Sequence, residues 1–225
     1  MPACCSAIEH HFSDELAAAD LGRYRRGRLD GPTRRLLRAV RQHAPDPASV
    51  LDVGGGVGMI LQELLPGSNA TATYVDGSSA HLRAAREEAE RRGYAGRARF
   101  LHGDFLDLAD DVEPAEVVVM HRAVCCYPDA EGLLSAAAGR AQRVLAISYP
   151  RDAWPVRAEI RFSNWVRARR RDPLRAFVHP EALVHSVLDG AGLRRRARSA
   201  TPYWRIDLYS RPSAAQPDFV CRTPL

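Results

Sequence analysis

Apolar residues along this chain alternate between short unbroken runs and longer stretches in which they recur three or four positions apart. The runs Ser49–Val53, Ala70–Val75, Arg99–Leu101, Val117–Met120 and Val144–Ser148 are short and mostly β-branched or aliphatic, which predicts five strands. Helical stretches separate them: Val57–Leu65, stopped by Pro66-Gly67, one from the Ser78-Ser79 caps to Gly93, and one from Asp129 to Gln142. Strand–helix alternation calls for a parallel sheet, because parallel neighbours need a crossover that lays a helix on the sheet's face. Two more runs, about 195–200 and 204–210, predict a closing hairpin. The expected fold is α/β and Rossmann-like: a seven-stranded, mostly parallel sheet with an antiparallel last strand and helices on both faces.

Outside this core, residues 6–19 predict one helix, and a second starts at Gly31-Pro32 with proline at its first position and Leu36, Leu37 and Val40 on one face. A basic loop carrying Tyr24 joins them. Residues 1–44 are expected to form a helical lid and 45–211 the ligand-binding domain. Within it, an insertion at about 152–178, built on the helical stretch Trp154–Arg171, roofs the pocket. Pro180 opens a last helix that closes at Gly190, with His179 beside its start, and 212–225 is expected to be a loose tail.

Composition narrows the chemistry. A length of 225 residues suits one such domain. The net charge of +5 is carried wholly by arginine, with no lysine in the chain. This excludes Schiff-base chemistry and a lysine base. The bias reads as a genome-composition effect, and Arg167–Arg171 and Arg194–Arg198 as solvated faces, so a nucleic-acid partner is disfavoured. The five cysteines fall as the vicinal pairs Cys4-Cys5 and Cys125-Cys126 plus Cys221. Adjacent cysteines bridge only with strain, so a reduced, cytoplasmic protein is expected, with no membrane span and no export signal. Cys4, Cys5, His10 and His11 lack zinc spacing, and no metal is expected.

The segment Val50-Leu51-Asp52-Val53-Gly54-Gly55-Gly56-Val57-Gly58 runs a strand into a glycine-rich turn and then a helix. Such a turn sits at the carboxyl end of the first strand, where open α/β sheets bind ligands. By itself it fits a dinucleotide or S-adenosylmethionine (SAM). Met59 occupies a position that the dinucleotide fingerprint keeps small, and Asp52 places an acid inside the strand. Asp76 ends the second strand, where a carboxylate can take both ribose hydroxyls. His102-Gly103-Asp104-Phe105 then follows the third strand, offering a carboxylate and a ring to adenine.

The series LDVGGGVG, YVDGS and HGDF resembles the class I SAM-dependent methyltransferases, closely over about residues 49–150. The resemblance implies that Gly54, Gly55 and Gly56 border the methionine part of SAM. It places Asp76 at the ribose, Asp104 at the adenine amino group and Phe105 against the ring, with Gly77 also among the cofactor-binding residues and S-adenosylhomocysteine (SAH) as product. Asp52, counted with the cofactor-binding residues, is expected to brace the turn through backbone N–H bonds, with the SAM amino group as an indirect beneficiary. Met120–Pro128 is similar to the segment that ends in I-H-Y-P in magnesium-protoporphyrin O-methyltransferases. Tyr127 and Pro128 match, but Cys126 stands where that family has histidine, which argues against a porphyrin acceptor.

The function so implied is methyl transfer to a small-molecule O, N, S or C nucleophile by in-line displacement, catalysed mainly by positioning. His121, Tyr127, Tyr24 and Tyr149 fall near the expected methyl. Of these only His121 has an ordinary pKa, near 6.5, suited to taking a proton, and it doubles as a cofactor contact. Cys125 and Cys126 read as small buried hydrophobes. Three alternatives stay open: a nucleic-acid methyltransferase, although His121-Arg122 replaces the N/D-P-P-Y/F such enzymes carry; a nicotinamide oxidoreductase; and a SAM-dependent enzyme of a non-methylating reaction.

Overall fold

The computed structural model describes residues 3–27 and 29–212, with side chains from residue 6 onward. The expected tail, Cys221, and the side chains of Cys4 and Cys5 lie outside the described residues. Seven strands form one sheet: β1 (Ser49–Val53), β2 (Thr71–Asp76), β3 (Ala98–His102), β4 (Ala115–His121), β5 (Ala141–Pro150), β6 (Arg194–Ala200) and β7 (Trp204–Ser210). Their order is β3-β2-β1-β4-β5-β7-β6. The pairs from β3 across to β5 are parallel, and β7 runs antiparallel to both β5 and β6. The expected architecture is the observed one.

Both faces of the sheet are covered. On one face α3 (Gly31–His43), α4 (Met59–Leu64) and α5 (Ser79–Arg91) bury Leu36, Leu37, Val40, Ile60 and Leu61 against Val50, Val117 and Leu208. The short α6 (Phe105–Leu108) with α7 (Ala130–Arg140) and α9 (Glu181–Gly190) covers the other, where Leu133, Leu134, Val184 and Leu188 meet Leu51, Val118 and Leu145. Full burial of each such side chain is worth about 1.5–3 kcal/mol, so these two layers hold the sheet. Alternate residues of β1 and β4 feed the two layers in turn, which is why these strands read as unbroken apolar runs.

The N-terminal region departs from the sequence reading. Instead of one helix over 6–19, there are two, α1 (Ala3–His11) and α2 (Asp14–Arg25), broken at Phe12 where Ser13 takes the N-cap of α2. The basic stretch around Tyr24 is the end of α2, because Ala17, Leu21 and Tyr24 form one buried stripe against Ala80 and Ala84 of α5. Helix α3, grouped with the lid in the sequence, packs on the sheet itself. Polar clamps tie α1 and α2 to the body: Ser79 N donates to Glu9 at 2.8 Å, Ser78 Oγ to the Phe12 carbonyl at 2.9 Å, and Arg25 to Glu87 and Glu88.

Helix α8 (Trp154–Arg169) fills the expected insertion. Val156 and Ile160 are buried on its inner face, and Trp154, Phe162 and Trp165 stand exposed on the other. Among the described residues no helix is long and apolar enough to cross a membrane.

Candidate active site

The strand order sets out the site before any side chain is considered. Asp104 follows β3, Asp76 ends β2, Gly54 follows β1, His121 ends β4, Pro150 ends β5 and Trp204 begins the antiparallel β7. All six therefore lie in that order along the sheet's carboxyl edge, and all six line one cavity of about 630 Å³. Its middle is the β1/β4 junction, where the direction of winding reverses and open α/β sheets leave a crevice. Ile8 of α1, Phe12 at the break, Tyr24 of α2, and Ile160 and Arg167 of α8 cover it.

The glycine turn is built for close approach. Gly54 has φ +66°, and a Cβ there would come within 2.7 Å of the Ala123 Cβ. A Cβ on Gly55 would lie 2.3 Å from Asp52 Oδ2, so the turn sits directly on that carboxylate. Asp52 does not brace the turn as expected. Both of its oxygens are buried and lack a hydrogen-bond partner among the described residues. Burial, with a smaller contribution from Asp76, pushes its pKa up to about 8.

Asp76 does the bracing. Its Oδ2 accepts the Gly56 amide and its Oδ1 the Ser78 amide, each at 2.8 Å. Burial raises its pKa, and the two amides pull the other way. Asp104 caps α6 through the Leu106 amide at 3.0 Å and accepts the Tyr127 hydroxyl. Phe105 and Gly77 line the same end of the cavity. Every residue assigned to the cofactor from the sequence is on this wall except Asp52, which lies beneath it.

Of the four residues expected near the methyl, His121, Tyr127 and Tyr24 line the cavity, and each has its polar atoms engaged. Tyr24 donates to Glu63 Oε1 at 2.8 Å, and Tyr127 donates to Asp104. His121 bridges Thr33 Oγ1 (Nε2, 3.0 Å) and Ser148 Oγ (Nδ1, 2.7 Å). Asp30 Oδ1 accepts from Thr33 Oγ1 at 2.6 Å, so Thr33 must receive the Nε2 proton and Ser148 must donate to Nδ1. Burial, then the neighbouring Arg122, lowers the His121 pKa to about 3. His121 is thus a neutral bridge, not the proton acceptor expected of it. Tyr149 is withdrawn altogether: it donates to Asp207 at 2.8 Å, inside the core.

Two arginines in the cavity were not singled out by the sequence. Arg122, held at φ 64°, pairs with Asp30 and lies 4.9 Å over the Trp204 ring. Arg167, read as part of a solvated face, lines the cavity because it follows Ile160 and Asn164 at i+7 and i+3 on the inward side of α8. Beside them Cys125 is buried, with its Sγ 4.0 Å from that of Cys126. The Cys126 thiol and the two guanidiniums lower the Cys125 pKa. His179 fixes the loop that carries the pair, reaching the Tyr127 carbonyl at 2.9 Å. Among the described residues no group of three or more His, Cys, Asp or Glu side chains could hold a metal ion.

The comparisons agree with this geometry. Residues 50–146 match the family profile of a methyltransferase domain. No curated protein sequence matches the chain. Among solved structures, the chain is similar to magnesium protoporphyrin IX methyltransferase from Synechocystis PCC 6803 with bound SAH. That match has 19% identity and a TM-score of 0.69, covering 92% of this chain and 99% of that one. It is also similar to an O-methyltransferase family protein from Burkholderia thailandensis (20% identity, TM-score 0.66, 81% of this chain), of which it spans 57%. A third is the (4+2)-cyclase SpnF, at 13% identity and TM-score 0.61, covering 79% of this chain and 81% of that one. Residues 50–146 match a methyltransferase domain, and the chain shares the α/β fold of these solved structures.

Proposed function

We propose that the protein transfers a methyl group from SAM to a small-molecule acceptor inside this cavity. The observation that carries the reading is the buried Asp52 carboxylate, without a partner, directly beneath a turn that no side chain could occupy. A buried, unpaired acid needs a cation or a donor to satisfy it. The ammonium of the methionine portion is such a cation. Asp76, already fixed by two amides, would take the ribose hydroxyls. Asp104 and Phe105 would take the adenine amino group and ring, with Gly77 alongside.

SAM supplies a methyl on sulfonium, already activated for in-line attack. The chain's part is to hold, orient and exclude water. The covering helices α1, α2 and α8 act as lid and roof, and their enclosure favours a small acceptor over a polymer. His121 holds the end of β4 in register with α3 and presents an uncharged edge to the cavity. No free base is required of the site if positioning carries the rate, and well-aligned reactants can gain about 7–11 kcal/mol that way.

The test is transfer of an isotopically labelled methyl from SAM to a panel of small phenols, amines, thiols and acids, with SAH release as the second readout. Labelled product together with SAH is expected. SAH binding with no methyl transfer anywhere in the panel, or turnover of a nicotinamide cofactor instead, would overturn the reading.

A further inference from the structure

We propose that the acceptor carries a carboxylate, bound by Arg167 where α8 covers the cavity. The inference rests on the reading of the cavity as a methyl-transfer site and specifies what enters it. Three arginines line the cavity: Arg23, Arg122 and Arg167. Arg23 pairs with Asp20, and Arg122 pairs with Asp30. Arg167 makes no ion pair among the described residues; the hydrogen bond it forms is a long one, 3.4 Å, to Asn164 Oδ1. Asn164 is itself occupied, accepting the Ala176 amide at 2.9 Å and donating to the Ala176 carbonyl at 2.8 Å.

The acid that could have served Arg167 is committed elsewhere. Asp172 receives the Leu174 amide at 2.9 Å and His11 at 2.7 Å, which latches α1 to the segment after α8. Arg167 is close enough to influence Asp172 and two groups that line the cavity, Cys125 and Tyr203, electrostatically. A half-buried arginine that lines the cavity and makes no direct ion pair among the described residues matches a carboxylate in charge and in its planar fork.

The surroundings choose among anions. Ile160, Leu174, Tyr203 and Trp204 line the same cavity, so the body of the acceptor is apolar. With Arg23 paired to Asp20 and Arg122 to Asp30, Arg167 is the cavity arginine left without a direct ion pair among the described residues, which suits a single carboxylate rather than a phosphate dianion. The carboxylate is an anchor, and the nucleophile lies nearer the glycine turn.

The test uses the full chain saturated with SAH, titrated by calorimetry with three acids and their amides: benzoate, octanoate and indole-3-acetate against benzamide, octanamide and indole-3-acetamide. At least one acid is expected to bind about tenfold or more tightly than its amide, with that preference abolished in Arg167→Gln. SAH affinity and melting temperature are expected to be unchanged in the variant. A purely structural role for Arg167 would weaken acid and amide alike. Equal binding of every acid and amide to the wild type, or a preference that survives Arg167→Gln, overturns the proposal. Absence of SAH binding in the wild type overturns the methyl-transfer reading instead.

Discussion

His121 Nε2 lies 3.0 Å from Thr33 Oγ1, a contact between the end of β4 and the first turn of α3. It is the centre of a closed circuit. The Arg122 amide donates to Ser148 Oγ, Ser148 to His121, His121 to Thr33 and Thr33 to Asp30, whose second oxygen pairs with the Arg122 side chain. Burial raises the Asp30 pKa, but the Thr33 bonds and Arg122 outweigh it and hold the carboxyl at about 2. The circuit also holds Arg122 in its left-handed conformation, which costs a non-glycine residue about 1–3 kcal/mol.

The circuit predicts acid sensitivity. The folded-state pKa of His121, about 3, lies below the ordinary value of 6.5. Between those values the unfolded chain binds the extra proton, so stability is full above pH 6.5 and falls as the pH drops towards 3. The slope from this group approaches about 1.4 kcal/mol per pH unit. Urea unfolding from pH 7.5 to 4.5 is expected to show that decline in the wild type and a flatter curve in His121→Asn. Parallel curves would mean that His121 is solvated.

Asp52 predicts the opposite slope. Its folded-state pKa of about 8 is raised from 3.8, so its contribution to stability is complete below 3.8 and is lost as pH rises through 8. Asp52→Asn is expected to be more stable than wild type at pH 8.5 without ligand, yet to bind SAM at least about tenfold more weakly. If an ammonium pairs with Asp52, SAM binding near pH 7 also releases a proton. Calorimetry in buffers of different ionisation enthalpy measures that proton. Binding with no proton release and full affinity in Asp52→Asn would place the ammonium elsewhere.

The cysteine pair is expected to contribute packing. Cys125 Sγ lies 3.2 Å from the Arg122 carbonyl and Cys126 beside it, a local arrangement that serine can replace. The Cys125→Ser/Cys126→Ser variant should keep most of the wild-type turnover. A stably folded double variant with no turnover would make the pair part of the chemistry.

The sheet was legible because its central strands are buried on both faces, as in the valine-rich run Val117–Met120, and turn residues such as Pro66-Gly67, Gly93 and Pro114 separate the runs. The cofactor wall was legible because glycine and aspartate follow strand ends at fixed places. The break at Ser13 and the helical state around Tyr24 were not, because Ala17, Leu21 and Tyr24 gain their helix from packing on α5. What most changes the site is long-range. Thr33 and His121 are 88 residues apart, and nothing local to either signals that both imidazole nitrogens are taken. The unpartnered state of Asp52 is likewise a property of three-dimensional neighbours. Arg167 did carry a signal, its spacing from Ile160 on α8, which the surrounding arginine run masked.

The central claim, that the wall from Gly54 to Asp104 holds SAM, is tested most directly by titrating SAH into the wild type and Asp76→Ala. The account predicts one SAH per chain in the wild type and a loss of at least about tenfold in affinity for each ribose bond removed in the variant. Because Asp76 also receives the Gly56 and Ser78 amides, a melting curve is run beside each titration to confirm a folded chain. No SAH binding in the wild type, or wild-type affinity in folded Asp76→Ala, would contradict the account.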